Sequence, residues 1–396
     1  MKISERLRGL VRSPWLTYQV LLRGRYDFTY DLMPVHVHQM GAAKRRNLAK
    51  AGTLLLHRQL HPRNWPLHMQ FELTNHCDLH CPVCPTGSGK LSRRPQAMDV
   101  ELFERVWREV GPNLLTASLW GWGEPLLHPR IADILGIAST QPVATLVSTN
   151  GQSLSRETVR QALIDHPPTY LIVCLDGLTD ATNQVYRRGA SLQPAIEGVS
   201  RLAAQKRERH QRYPILHMRY IVMKHNEHEL AHAEEFARDH DFDLLTIRTL
   251  LITDASPGDH QELLPSETQW RAYDYQGTER VRRRDYVCQQ PFWFPTLFSD
   301  GTLMPCDQDS DARLPFGVVT PERSFAELWF GSSAAAVRRV IRDSPDTLLT
   351  CRHCPFADQP AEAGSVRAYH LRGPVVAEVG VPGTAGWSER PSASCG

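Results

Sequence analysis

The chain has 396 residues, 41% hydrophobic and 22% charged, with a formal charge of +2. That is long enough for a large core and more than one module, and its composition is ordinary for a globular protein, which excludes wholesale disorder. The near-neutral total excludes a strong overall pull toward nucleic acid, so no nucleic-acid partner is expected.

Residues 1–66 read as a basic helical extension, carrying about nine more basic than acidic side chains and leaving roughly −7 for the remainder. It reads either as an accessory helical layer on the main domain or as a basic amphipathic surface for anionic lipid or an acidic partner, the layer being favoured over the membrane surface. No apolar run approaches the roughly 18 residues of a membrane-crossing helix. The first residues, "MKISERLRGLVRSPW", are charged where a secretory signal is apolar. A cytoplasmic protein is expected, and there nine cysteines point to metal or redox chemistry rather than disulfides.

A regular rhythm fills residues 67–255. "LHMQFELT" (67–74) alternates and predicts a strand, and "MDVELFERVWREV" (98–110) has helical spacing. Further strands are predicted in "LLTASLWG", "VATLVST", "TYLIVCLDG", "ILHMRYIVMK" and "DLLTIRTL", with helical stretches between them. Six βα units predict an α/β fold on a parallel sheet, either a partial (β/α)6 TIM-like barrel or an open sheet. Residues 256–285 read as a linker and 286–357 as a small cysteine-bearing domain. Residues 358–396, rich in Gly, Ala, Ser and Pro, read as a flexible tail in which Cys395 is incidental.

The first strand runs into "FELTNHCDLHCPVCPTGSGK" (71–90), which holds Cys77, Cys81 and Cys84. Soft thiolates favour zinc or an iron–sulfur cluster. A structural zinc takes four ligands, and His76 or His80 would have to supply the fourth from directly beside a cysteine. A [4Fe–4S] cube takes one ligand per iron, so three cysteines leave one iron open to a substrate or cofactor. The loop also follows a first strand, at the carboxyl edge where parallel α/β folds bind ligands.

A C-x3-C-x2-C loop after the first strand of a six-fold βα pattern resembles the radical S-adenosylmethionine (SAM) enzymes. The resemblance covers residues 67–250, and later features extend it to 357. It implies that SAM chelates the open iron through its amino and carboxylate groups. One electron, supplied through a flavodoxin- or ferredoxin-type donor, then cleaves the sulfonium C–S bond. The resulting 5′-deoxyadenosyl radical takes a hydrogen atom from substrate.

The same resemblance assigns SAM contacts. "GWGEP" (121–125) is similar to the family's Gly-Gly-Glu segment, with Trp122 where the first glycine is usual, so Gly123 and Glu124 carry the match. Gly123 allows close backbone approach and Glu124 suits an ammonium. In "STNG" (148–151), Ser148, Thr149 and Asn150 are implied contacts to the ribose or methionine part of SAM; a plain Asn-Gly turn is the competing reading. In "VCLDG" (173–177) Cys174 replaces the usual Ser and reads as a small buried residue, leaving Asp176 as the candidate. In "YRRGA" (186–190) Arg187, ahead of Arg188, is implied to pair with the SAM carboxylate; solvated surface arginines are the alternative.

Cys288, Cys306 in "SDGTLMPCDQD", and Cys351 and Cys354 in "CRHC" form a second set. The "DGTLMPC" hairpin, the "ELW" helix and the closing C-x2-C resemble the twitch or SPASM auxiliary-cluster domain. Four cysteines imply one fully ligated [4Fe–4S] cluster; a zinc ribbon competes, although only the last pair has ribbon spacing. Such a cluster carries electrons, which suggests an oxidative outcome.

The leading expectation is a radical SAM oxidoreductase-type enzyme acting on a small polar metabolite such as a sugar, aminocyclitol or nucleoside. A maturase of a ribosomally made peptide is the second reading. The first 66 residues show no alternating strand pattern of the kind that a winged-helix peptide module needs. A non-catalytic zinc or iron–sulfur protein is the reading from another class. The catalytic acid or base is unassigned; Arg219, Tyr220 and Arg248 on late strands, and Asp307 and Asp309 beside Cys306, are candidates whose facing the sequence does not fix.

Overall fold

The computed structural model describes residues 14–30, 32–57, 59–252, 259–283, 286–358 and 367–379. A helix at Pro14–Leu21 leads into a hairpin of β1 (Tyr26–Tyr30) and β2 (Met33–Val37), paired antiparallel with Tyr26 opposite Val37. The helix Ala42–His57 follows. Helices therefore stand in the N-terminal extension, but a hairpin that its sequence reading left out lies between them; residues 1–13 are outside the described set. Tyr26, Phe28, Met33, Val35 and Val37 are buried, a period-two pattern interrupted by a turn with no glycine. Leu32 instead takes the positive φ of 67° that usually marks a hairpin through Gly or Asn.

The six expected strands follow as β3 (His68–Phe71), β4 (Thr116–Ser118), β5 (Ala144–Thr149), β6 (Tyr170–Cys174), β7 (Ile215–Val222) and β8 (Leu244–Thr249). Each is parallel to the next. After β8, β9 (Tyr275–Gln276) and β10 (Glu279–Arg280) make a short ribbon in the linker. The cysteine-bearing domain then adds β11 (Thr296–Leu297), β12 (Thr302–Met304) and β13 (Gly317–Val318). β11 runs parallel to β3, so this domain continues the main sheet rather than standing apart. The tail supplies β14 (Arg367–His370), antiparallel to β8, and β15 (Ala377–Val379), parallel to β2.

The sheet order is β13-β12-β11-β3-β4-β5-β6-β7-β8-β14, an open (β/α)6 arrangement with added edges and no closure among the described residues. The tail thus corrects the expectation of flexibility at 367–370 and 377–379, where strands of four and three residues are too short to register as periodicity. Residues 359–366 and 380–396, Cys395 included, lie outside the described residues. No helix among the described residues is long and apolar enough to cross a membrane.

Alternation along the parallel strands sorts the core into two layers. Met69, Phe71, Ala117, Val147, Leu171, Val173, Leu216, Met218, Leu245 and Ile247 pack with helical residues such as Phe103, Trp107, Leu163 and Val199. The opposite faces, with Ala144, Leu146, Tyr170, Ile172, Ile215 and Leu244, pack with the hairpin's Tyr26, Phe28, Met33, Val35 and Val37. These include the first residues of β5 to β8, so the hairpin fills the amino-terminal end of the sheet's concave side. Each such large apolar side chain contributes about 1.5–3 kcal/mol when fully buried. Polar ties align the plug: Tyr30 Oη lies 3.1 Å from Ser118 Oγ, and the Tyr170 hydroxyl donates to the Pro34 carbonyl at 2.8 Å. With that end filled, ligand space is left at the carboxyl ends of the strands, where the cysteine loop sits.

Candidate active site and its two cysteine sets

The cysteine loop leaves the sheet beyond β3 and is braced from both sides. Asn75 clamps the returning chain by donating to the Arg94 carbonyl at 2.8 Å and accepting from the Gln96 N–H at 2.7 Å. A Cβ on Gly87 would stand 2.5 Å from the Cys81 nitrogen, so only glycine lets the chain pass there. Cys77, Cys81 and Cys84 are free thiols, Cys81 buried and the others half-buried. Burial pushes Cys77 up to about 12 and Cys81 up to about 11. Each stays protonated until a metal takes the proton's place.

Among the described residues, no three His, Cys, Asp or Glu side chains gather tightly enough to hold a single ion. A structural zinc takes four protein ligands, whereas three soft donors on one loop suit a four-iron cluster with one iron left open.

The floor beside the loop is built by "GWGEP". A Cβ on Gly123 would lie 2.2 Å from the Thr74 carbonyl and 2.7 Å from that of His76. The Glu124 N–H donates to the His76 carbonyl at 2.8 Å. Glu124 itself is buried, and its carboxylate accepts from Thr149 Oγ1 (2.7 Å), the Asn150 N–H (2.7 Å) and the Leu126 N–H (3.1 Å). The residue expected to receive an ammonium is thus already a three-way internal tie. A carboxylate has about four lone-pair sites, which leaves it room for one further donor. Thr149 is held by this tie. Asn150 reaches the cysteine loop, its Nδ2 donating to Asp78 Oδ1 at 2.6 Å, and Ser148 Oγ lies 3.3 Å from Cys174 Sγ.

Burial raises Glu124 from its ordinary 4.5 to about 7. Because the folded value is the higher one, its contribution to stability is complete below pH 4.5 and is lost as pH rises through 7. Anaerobic urea denaturation between pH 5 and 8 should therefore show the parent losing up to about 3 kcal/mol relative to Glu124→Gln over that interval. Parallel curves for the two proteins would contradict this.

Asp176 and Arg187, read from sequence as contacts to different parts of SAM, face each other. Arg187 Nε lies 2.7 Å from Asp176 Oδ2, with Asp176 fully buried and Arg187 only 12% exposed. Asp176 Oδ1 also accepts the Ile221 N–H at 2.9 Å. Burial raises the Asp176 carboxyl, Arg187 opposes it, and the same guanidinium lowers Cys81. The pairing was hidden because the partners come from different loops, after β6 and at the end of the helix Asp180–Tyr186.

The register also fixes the phase of the late strands. Tyr220 packs in the outer core and its hydroxyl donates to the Asn226 carbonyl at 2.9 Å, which removes it from the candidates. Arg219 and Arg248 have the opposite parity, that of Ile215 and Leu244, so both belong to the concave side. The Asp307 carbonyl accepts from the Trp122 indole N–H at 2.7 Å, and Asp309 is buried, accepting the Leu314 N–H at 2.8 Å.

In the later domain Cys288 precedes the helix Gln290–Trp293, Cys306 follows β12, and Cys351 and Cys354 sit at the helix Leu349–Arg352 and just before Pro355–Asp358. All four are free thiols. Their sulfurs act electrostatically on one another: Cys288 feels Cys354 and Cys351, and Cys306 feels Cys288 and Cys354. Burial, reinforced by these neighbours, pushes Cys288 and Cys351 up to about 12. Two arginines from the linker brace the C-x2-C turn. Arg280 donates to the His353 carbonyl at 3.0 Å and Arg282 to the Cys351 carbonyl at 3.0 Å. Neither arginine was singled out in the sequence, where residues 256–285 read only as a linker.

The two cysteine lobes are joined by a buried polar seam. Glu72, at 0% exposure, takes a bidentate pair from Arg93 (2.8 and 2.6 Å) and a bond from Ser299 Oγ at 3.0 Å. Arg93 also donates to the Ser310 carbonyl at 2.6 Å and lies 3.8 Å from the centre of the Phe298 ring. Ser92 Oγ meets Asp311 at 2.9 Å.

Residues 71–237 match the family described as the radical SAM superfamily, and 288–355 match one described as an iron–sulfur cluster-binding domain, SPASM. A GTP 3′,8-cyclase of Pseudomonas putida is 30% identical over 190 residues, covering 46% of this chain and 53% of that protein. The mycofactocin maturase MftC of Mycobacterium tuberculosis is 29% identical over 140 residues, 35% of each chain. The chain spans about half the length of the first curated relatives it matches. Streptococcus suis SuiB, solved with its precursor peptide SuiA, aligns at a TM-score of 0.56 and 14% identity over 90% of this chain and 84% of that one, a likeness of fold.

Proposed function

The chain belongs to the radical SAM superfamily and carries a C-terminal SPASM-type cluster domain, and from that premise we propose that it oxidises a small polar metabolite, such as a sugar, aminocyclitol or nucleoside, by hydrogen-atom abstraction. The observation that carries the reading is the three-thiol loop packed against Gly123 at the carboxyl edge of the sheet. Cys77, Cys81 and Cys84 would hold one [4Fe–4S] cluster, and Cys288, Cys306, Cys351 and Cys354 an auxiliary one. With SAM bound, this pair supplies a 5′-deoxyadenosyl radical and a separate one-electron acceptor. The residues' own work is placement. Gly123 admits the ligand's backbone-side approach, Glu124 keeps one acceptor site for an ammonium, and Ser148 and Asn150 offer hydrogen bonds at the rim. The guanidinium face of Arg187 not spent on Asp176 suits a carboxylate. Arg219 and Arg248 share the concave side with this site by strand parity.

The cyclase relative supports a nucleotide-like substrate. Peptide maturation is the second reading, supported by the MftC relative. The plugged hairpin, packed into the sheet's lower end, argues against its serving as a free peptide-binding lobe. A flavodoxin- or ferredoxin-type donor and a reducing, cytoplasmic setting suit so many free thiols.

Anaerobic reconstitution should yield about eight iron per chain from two four-iron clusters, and SAM with dithionite should give 5′-deoxyadenosine. Substrate classes separate by deuterium: a carbon-deuterated sugar or nucleoside that passes its label to 5′-deoxyadenosine supports the leading reading. Transfer only from a deuterated peptide would replace it with the second.

A further inference from the structure

Trp122 stands where the resembling segment has a glycine, and the SAM contacts assigned to its neighbours do not use its side chain. Its indole N–H donates to the Asp307 carbonyl at 2.7 Å, and Asp307 directly follows Cys306. Its own carbonyl accepts from Thr86 Oγ1, two residues past Cys84, and its N–H points to Glu72 Oε2 at 3.4 Å. One half-buried residue is thus bonded next to a ligand of each cysteine set, while Gly121 and Gly123 on either side press against Glu72 and Thr74.

We propose that Trp122 is a positioning residue that couples the two iron–sulfur sites, transmitting the occupancy of the SAM site to the auxiliary cluster through Asp307 and Cys306. The proposal rests on the enzymatic reading above. Hydrogen bonds around ligand loops tune a cluster, and this one joins the floor of the SAM site to the peptide adjoining an auxiliary ligand. It is not needed to hold the lobes together. Arg93 to Ser310 and Ser92 to Asp311 bridge the two lobes from a different segment.

The test uses reduced, anaerobic holoenzyme and the electron paramagnetic resonance signal of the auxiliary cluster, recorded before and after adding SAM. The parent signal should shift on SAM addition. Trp122→Phe, which keeps the backbone carbonyl used by Thr86 and an aromatic ring but removes the indole N–H together with its five-membered ring, should lose the shift. Ser92→Ala, which cuts a different bond of the seam, should keep it. A shift of parental size in Trp122→Phe, an equal loss in Ser92→Ala, or a parent signal that SAM leaves unmoved overturns the coupling. Iron-loaded protein with any of those results sinks the coupling alone, whereas protein that takes up no iron or sulfide sinks the enzymatic reading and the coupling with it.

Discussion

Cys77→Ala, reconstituted anaerobically, should release no 5′-deoxyadenosine above a no-enzyme control, and its iron should fall from about eight to about four per chain. Cys306→Ala should show the same iron loss yet still cleave SAM, uncoupled from turnover of substrate. The two variants therefore share a metal count and differ in chemistry, which separates a defect at one cluster from general damage to the chain. The contrast follows from the proposed ligand sets: three free thiols on the loop beside Gly123 and Glu124, and four more in the later domain. Deoxyadenosine release by Cys77→Ala at the parent rate would refute the assignment of the SAM site. Loss of release in both variants would refute the division of labour.

The largest effect on stability should come from Arg93→Ala. Glu72 has no solvent exposure, and Arg93 satisfies both of its oxygens. Removing one partner of a buried pair costs about 3–5 kcal/mol, because the remaining charge has neither water nor counter-charge. Adding Glu72→Gln to Arg93→Ala should recover part of that loss, since a neutral amide is cheaper to bury. Anaerobic denaturation midpoints of the parent, the single variant and the double variant measure both numbers. If the single variant costs less than about 1 kcal/mol, the range of an exposed pair, the seam is not holding the two lobes.

Much of the chain was readable before any coordinates because its signals are local. Alternating strands and helical spacing between residues 67 and 250 placed all six parallel strands. The three-cysteine loop announces itself by spacing, whereas Gly123 entered through a resemblance and its close approach to Thr74 and His76 appears only in the structure. What escaped was relational. Asp176 and Arg187 are eleven positions apart in sequence, and nothing in either loop says that they meet. Arg219 and Arg248 required a register to fix their facing, because one residue of slip turns a strand side chain to the other face. The hairpin of β1 and β2 shows its alternation in burial, but in sequence it sits among helical, basic stretches and its turn lacks the glycine that would have marked it. The arginines at 280 and 282 stood in a stretch read only as a linker, and the C-x2-C carbonyls they meet lie far along the chain.

The pairing of β2 with β15 places Val35 opposite Ala377, a contact that closes almost the whole length of the described chain. Contacts of such long separation form late, because the intervening loop must first give up its freedom. During synthesis, a ribosome that has not yet released residue 377 has already produced every cysteine of both sets. All seven cysteines proposed as iron ligands are thus made before the far strand arrives to seal the bottom of the molecule.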